Sequence, residues 1–277
     1  KLLTDAPANA LIEFTKPIQI AWQGRNIAEI SLPPICTIPG QGVPDLETAG
    51  QLRITNLGAF TDFATYILHN PSFTWTISSD AVIVRALGIV FSNVNLEKQI
   101  SLDVFNNLPG VTISGFDIPS EGPDYLNFVT DTKIPSPSAL GVELGTAVFH
   151  VMFKGTYLGP ASAYDLFLLP KAVTSAKLYG QLIRQTDDGA LNNLGILFSQ
   201  FLQGKNSTLV VQGWEVISPA QPNSPVNWLS TAFKTLFLDV TLEGHIYEII
   251  FSITISDLTV ILLGNAAQEV SLDLRLT

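Results

Sequence analysis

The chain has 277 residues, a net charge of −10, and only 14% charged against 47% hydrophobic residues. Fourteen Lys and Arg against 24 Asp and Glu repel phosphate backbones and exclude nucleic acid as an expected partner. One cysteine, Cys36, excludes an internal disulfide framework, and Glu248 and Asp257 interrupt the most apolar stretch, residues 246–263, so no spanning helix is expected.

Residues 11–14, 18–22 and 27–32 read as short strands, broken by Lys16-Pro17 and by a turn at Gln23-Gly24. A Pro/Gly-rich connection follows, from Pro33 to Pro44, whose Gly-Gln-Gly reads as plain loop because no helix start follows it. Residues 51–54 form a strand. Phe60, Phe63, Ala64, Ile67 and Leu68 have the spacing of an amphipathic helix, which Asn70-Pro71 stops. Strands are then expected at 73–77, 81–85, 88–92, 98–105 and 111–118. From Leu126 the order restarts with strands at 126–134, 142–144 and 147–154. A second helix carries Leu194, Leu197, Phe198, Phe201 and Leu202 and ends at Gly204. Strands at 208–212, 234–241 and 246–255 close the series.

The order repeats because short motifs recur. Lys98-Gln-Ile-Ser-Leu-Asp-Val-Phe105 returns as Lys234-Thr-Leu-Phe-Leu-Asp-Val-Thr241, 136 positions on. Trp22-Gln-Gly24 is echoed by Phe153-Lys-Gly155, Ile38-Pro39 by Leu169-Pro170, and Gly50-Gln-Leu52 by Gly180-Gln-Leu182. The fold expected is mainly β, with two tandem immunoglobulin-like β-sandwich modules, each with one short edge helix. Their bounds are 1–110 and 111–245, with C-terminal strands in 246–277. The second module opens with a stretch, residues 126–144, that has no clear counterpart before Leu11. Conversely, Ile253-Thr-Ile255 echoes Val111-Thr-Ile113, and Glu269 to Leu276 alternates like an opening strand.

Asp131-Thr-Lys-Ile-Pro-Ser-Pro-Ser-Ala-Leu-Gly-Val-Glu-Leu-Gly145, continued to Gly159, resembles the opening strands of the late embryogenesis abundant type-2 fold, related to the water-stress and hypersensitive-response domain. His69-Asn-Pro-Ser-Phe-Thr-Trp75, Gln212-Gly-Trp214 and Val226-Asn-Trp-Leu229 resemble a fungal family of unassigned function that carries such modules in tandem. The resemblance covers residues 15–260. It implies a membrane anchor elsewhere in the protein, with the modules on the luminal or outer side, and it brings no catalytic residues. The absence of Met at Lys1 is compatible with such a leader or anchor upstream.

No reaction chemistry is legible. Gly-x-Ser-x-Gly is absent, and His69, His150 and His245 are scattered without metal-ligand spacing. No catalytic, cofactor or metal residues are therefore assigned. His150 reads as structural. Asp117, Glu121, Asp124 and Asp131 read as a solvated acidic turn rather than a calcium site, Asp103 and Asp239 as products of duplication rather than paired catalytic carboxylates, and Trp22, Trp75, Trp214 and Trp228 as packing rather than a sugar platform. Asn206-Ser-Thr208 is a glycosylation sequon in a turn, which fits an extracellular, cell-surface, vacuolar or other luminal location. The expected function is non-catalytic assembly. A C-terminal strand presenting Val270, Leu272, Leu274 and Leu276 fills the first module of a neighbouring copy, and the contact propagates into a homo-oligomer or filament. The alternative is a luminal module that holds a lipid or other apolar ligand between its sheets.

Overall fold

The computed structural model describes residues 9–37, 51–246, 255–262 and 270–276. The protein is mainly β, with two multi-stranded sheets and three short helices among the described residues, a fold of the β-sandwich type.

The first sheet comprises β1 (Ala10–Phe14), β2 (Ile18–Trp22), β3 (Arg25–Ile30), β4 (Ile35–Thr37), β5 (Leu52–Ile54), β6 (Ser72–Ala86) and β7 (Ile89–Asp103), with helix α1 (Leu57–His69) between β5 and β6. Its order is β4-β1-β6-β2-β3-β5. β6 is long enough to pair β2 with its first half and β1 with its second, while β7 runs along its other edge. Alternation in β2 buries Ile18, Ile20 and Trp22. Asn56 caps α1 by accepting the Ala59 N–H at 3.0 Å. The helix sets Phe63 into the sheet, where its ring meets Trp22, Phe73 and Trp75 at centroid distances of 5.0–5.6 Å. Burying such a ring contributes about 1.5–3 kcal/mol.

The second sheet comprises β8 (Thr112–Glu121), β9 (Tyr125–Pro135), β10 (Val142–Phe153), β11 (Thr156–Leu168), β12 (Val173–Ile183), β13 (Ser207–Ile217) and β14 (Phe237–Leu242). It closes on itself in the order β10-β11-β12-β9-β8-β14-β13. β14 and β8 form its one parallel seam, Thr241 beside Thr112 and Leu242 beside Ile113. Helices α2 (Asp188–Leu202) and α3 (Asn227–Phe233) complete this half. Residues 104–111 link the two sheets, and Val104, Phe105, Leu108 and Val111 are buried in one apolar cluster that runs continuously through both halves. The halves also meet where Phe60 packs edge-on against Trp228 at 5.0 Å, where His69 Nε2 reaches Thr235 Oγ1 at 2.8 Å, and where Lys171 Nζ donates to Asp103 Oδ2 at 3.0 Å.

Several expected elements differ. The strands at 73–77 and 81–85 are one strand, β6, and those at 88–92 and 98–105 are one strand, β7. Bulges between Ser79 and Val84 absorb the break in alternation. The segments 142–144 and 147–154 likewise merge into β10 across irregularities around Gly145, whose φ is +66°. β4 arises inside the Pro-rich connection. A third helix, α3, occupies the stretch expected to lead straight into the strand at 234, so that strand begins at Phe237 and Lys234 caps the helix. Most of the expected strand at 246–255 falls outside the described residues. Beyond it, β15 (Ile255–Leu262) and β16 (Val270–Leu276) form an antiparallel hairpin that, among the described residues, pairs only with itself.

Candidate functional site

The two sheets share one five-strand unit, β5-β3-β2-β6-β7 in the first and β12-β11-β10-β13-β14 in the second. The likeness is detailed. Gln23-Gly24 turns at φ +48° and +75°, and Lys154-Gly155 turns at +47° and +79°, the left-handed pair that a two-residue hairpin demands. One extra residue follows each turn: Ile27 bulges where Ile20 pairs Ala28 and Ala21 pairs Asn26, and Leu158 bulges where Val151 pairs Gly159 and Met152 pairs Tyr157. Both bulged residues are buried and stand 131 positions apart. The motif shared by β7 and β14 is less well superposed. Met152 pairs Val210, which pairs Asp239, whereas Ala21 pairs Thr76, which pairs Gln99. Asp239 therefore stands where Gln99 stands, four residues from the echo with Asp103.

The halves differ at the outer edges. In the second, β12 pairs β9 and β14 pairs β8, so the hairpin β8–β9 closes the ring. In the first, among the described residues, β5 pairs only β3 and β7 pairs only β6. The consequence is visible in burial. None of the fifteen residues of β7 is buried, and Ile89, Val90, Phe91 and Ile100 are exposed, whereas alternate residues of β14, Leu238, Val240 and Leu242, are buried. An apolar edge with unpaired backbone groups is a template for another strand.

The hairpin β15–β16 matches β8–β9 in form. Ile255 pairs Leu276 as Ile113 pairs Thr132, which sets Val270, Leu272, Leu274 and Leu276 at the positions of Leu126, Phe128, Thr130 and Thr132. Phe128, Thr130 and Thr132 are buried in the closed sheet. Across the C-terminal hairpin, Leu258 pairs Leu274, Val260 pairs Leu272 and Leu262 pairs Val270, so the register brings these three apolar pairs together, with Ile261 opposite Ser271 between them.

A second feature lies inside the closed sheet. A chamber of about 260 Å³ opens beneath α1, α3 and the linking residues, walled by β8–β14 and by Phe105, Phe149, Leu166, Leu178 and Trp228 among others. Among the described residues, no charged side chain lines it. Trp75 Nε1 and Thr132 Oγ1 are buried on residues of the wall without hydrogen-bond partners among the described residues. Left empty, a void of this size costs about 6 kcal/mol at roughly 24 cal/mol per Å³, a large part of a domain's stability.

The remaining candidates resolve into structure. His150 lies in β10 and stacks on Trp214 at 4.0 Å, whose ring also carries Lys234 Nζ at 4.3 Å. Burial first, and the Lys234 charge second, hold His150 below its ordinary pKa, with Glu215 opposing. Trp22 is buried, Trp75 packs on Phe73 and Phe63, and Trp228 on Phe60, so the four tryptophans form no common platform. Asp131 pairs Lys177 at 2.9 Å and Asp124 pairs Arg184 at 3.4 Å. Asp131 raises the pKa of Lys177 by that hydrogen bond. Among the described residues no group of His, Cys, Asp and Glu is placed to hold a metal. Asn206 is exposed ahead of β13, its Oδ1 accepting the Gly244 N–H at 3.2 Å, and Thr208 of the sequon is also exposed. Cys36 is exposed on β4. No helix is long and apolar enough to cross a membrane among the described residues. Sequence reasoning allowed an apolar ligand between the sheets but named no residue of the chamber, it missed α3, and it read a single spare strand where the structure has a hairpin.

Compared with known proteins, no curated protein matches the chain. Residues 25–151 match a family described as a protein of unknown function, DUF3712. That match covers less than half of the chain and spans nearly one period of the repeat, starting just after the Gln23-Gly24 turn and ending just before Lys154-Gly155.

Proposed function

We propose that this chain is a non-catalytic assembly protein of the late embryogenesis abundant type-2-like kind, acting in the extracellular or a luminal space, in which β15–β16 of one molecule closes the first sheet of the next. The observation that carries this reading is the mismatch between the halves. The closed sheet owes its closure to β8–β9, and among the described residues the first sheet has the same five strands with both outer edges unpaired, while a second hairpin of the β8–β9 kind pairs only with itself. In the proposed contact β16 runs antiparallel along β5 as β9 does along β12, and β15 runs parallel beside β7 as β8 does beside β14. Val270, Leu272, Leu274 and Leu276 face inward, backbone hydrogen bonds along the edges supply the affinity, and the alternate apolar side chains set the register. Donor and acceptor are different surfaces, so the contact is heterologous and propagates into a filament. A glycan on Asn206 does not fall on the acceptor edges β5 and β7, since that residue lies just ahead of β13 in the other half.

Light scattering across a concentration series tests it. The full chain forms oligomers that grow with concentration, and removal of residues 255–277 leaves monomers. A full chain that stays monomeric at every concentration, or oligomers that survive the deletion, overturns the reading.

A further inference from the structure

We propose that the chamber inside the closed sheet binds one uncharged hydrocarbon chain of about ten carbon atoms, by proportion with the roughly 150 Å³ cavity that takes benzene. This goes beyond assembly and rests on no contact of the C-terminal hairpin: among the described side chains, the wall is drawn from β8–β14, α1, α3, the link between the sheets and Trp75 of β6. Water does not suit the space. A buried water needs two to four polar partners, and the chamber's surface is entirely apolar: Thr132 Oγ1 and Trp75 Nε1 belong to residues of the wall, but neither presents polar surface to the space. A charged head group does not suit it either, since the wall holds no cation or anion to pair with one.

The occupant is therefore recognised by length and shape rather than by hydrogen bonds, as is usual where a barrel's interior serves as a site. Both helices over the chamber are placed to cover it. Phe60 and Ala64 reach it from α1 and Trp228 and Leu229 from α3, and Phe60 and Trp228 meet edge to face. α3 is the weaker half of this cover. It has seven residues, its N-cap, Val226, makes no side-chain capping bond, and besides packing it is tied to β13 at one residue, Val216, whose N–H donates to Ser230 Oγ at 3.1 Å and whose carbonyl accepts the Val226 N–H at 2.8 Å. Displacing α3 exposes the chamber without breaking any strand pairing of the ring.

The test is thermal unfolding of the full chain with a series of primary alcohols, 1-hexanol through 1-tetradecanol, at equal free concentration. The expected result is a rise in melting temperature of several degrees that peaks near 1-decanol and falls on either side. Two filling variants, Ala64→Phe and Leu178→Phe, place a ring toward the space. Each is expected to abolish the peak, and whichever folds serves the purpose. No rise with any alcohol, a change that grows steadily with chain length as nonspecific partitioning does, or a peak undiminished in a folded filling variant overturns the proposal.

Discussion

Strands β7 and β14 hold the same place in the same strand order, yet one has no buried residue along its length and the other is buried at every second residue. Pairing to β6 or β13 satisfies one edge of each, and that is insufficient to bury a strand. What buries β14 is the hairpin β8–β9, which supplies both the parallel neighbour across the seam and the inward residues Phe128, Thr130 and Thr132. Closure is thus a property of the added hairpin and not of the repeated unit. An unclosed unit with apolar edges is a binding surface until something covers it.

Truncation of apolar side chains at the two strands breaks the comparison most sharply. Leu236, at 1% exposure, leads into β14 and lines the chamber, while Ile100 in β7 is 38% exposed. Leu236→Ala is expected to cost about 2–5 kcal/mol, and Ile100→Ala about 0.5 kcal/mol or less in the monomer. Urea denaturation at low protein concentration measures both. If strand addition covers β7, the cost of Ile100→Ala rises once the chain is concentrated enough to assemble, whereas that of Leu236→Ala stays the same.

The strands and turns of the repeat were legible because they rest on local rules. Alternation placed Ile18, Ile20 and Trp22 inward, and Gln23-Gly24 and Lys154-Gly155 required left-handed backbone that marks a hairpin. Asn70-Pro71 ended α1 for the same kind of reason, while the cap at its other end, Asn56, is seen only in the structure. Long-range features were less legible. Ser78, Ser79 and Asp80 look like a break in alternation, but a bulge carries β6 through them, because pairing to β1, β2 and β7 outweighs local polarity. α3 has seven residues, no capping side chain and a proline just ahead, too little periodicity to register. The echo of Asp103 by Asp239 is genuine in sequence and four residues out of step in space, since motif likeness does not fix strand register. The chamber could not be read at all. Periodicity says that Leu166, Leu178 and Phe149 face inward, not whether they meet in the middle.

A smaller test sharpens the claim that the repeated unit is equivalent locally. A Cβ added at Gly24 or at Gly155 meets nothing within 4 Å, so each substitution to alanine pays only for the left-handed backbone at φ +75° and +79°. Gly24→Ala and Gly155→Ala are expected to destabilise by about 1 kcal/mol each. Equal values in thermal or urea unfolding mean that the two hairpins differ only in what surrounds them. A clearly larger loss at Gly155 would show that closure strains the turn.

The smallest expected effect concerns pH, at another matched pair. Gln19 and His150 stand 131 positions apart at the same point of the unit, beside Glu29 and Pro160 respectively. Around Gln19 the neighbours are charged: Glu29 accepts from Arg53 at 2.7 Å and from Gln19 at 3.3 Å, and these bonds, Arg53 first, lower its pKa below 4.5. Around His150 they are aromatic, Trp214 and Tyr157, and burial keeps the ring neutral below its ordinary 6.5. The unfolded chain takes up a proton at His150 as pH falls through 6.5 while the folded chain resists it, so stability drops from there down to the lowered folded value and levels off below it. Glu29 acts in a separate window: its contribution is full above 4.5 and is lost as pH falls through its lowered value. His150→Gln, which gives the second sheet the residue of the first, is expected to flatten the urea midpoint just below pH 6.5 and to leave the more acidic loss in place. An unchanged slope in that upper window would mean that the stack on Trp214 does not hold the imidazole neutral.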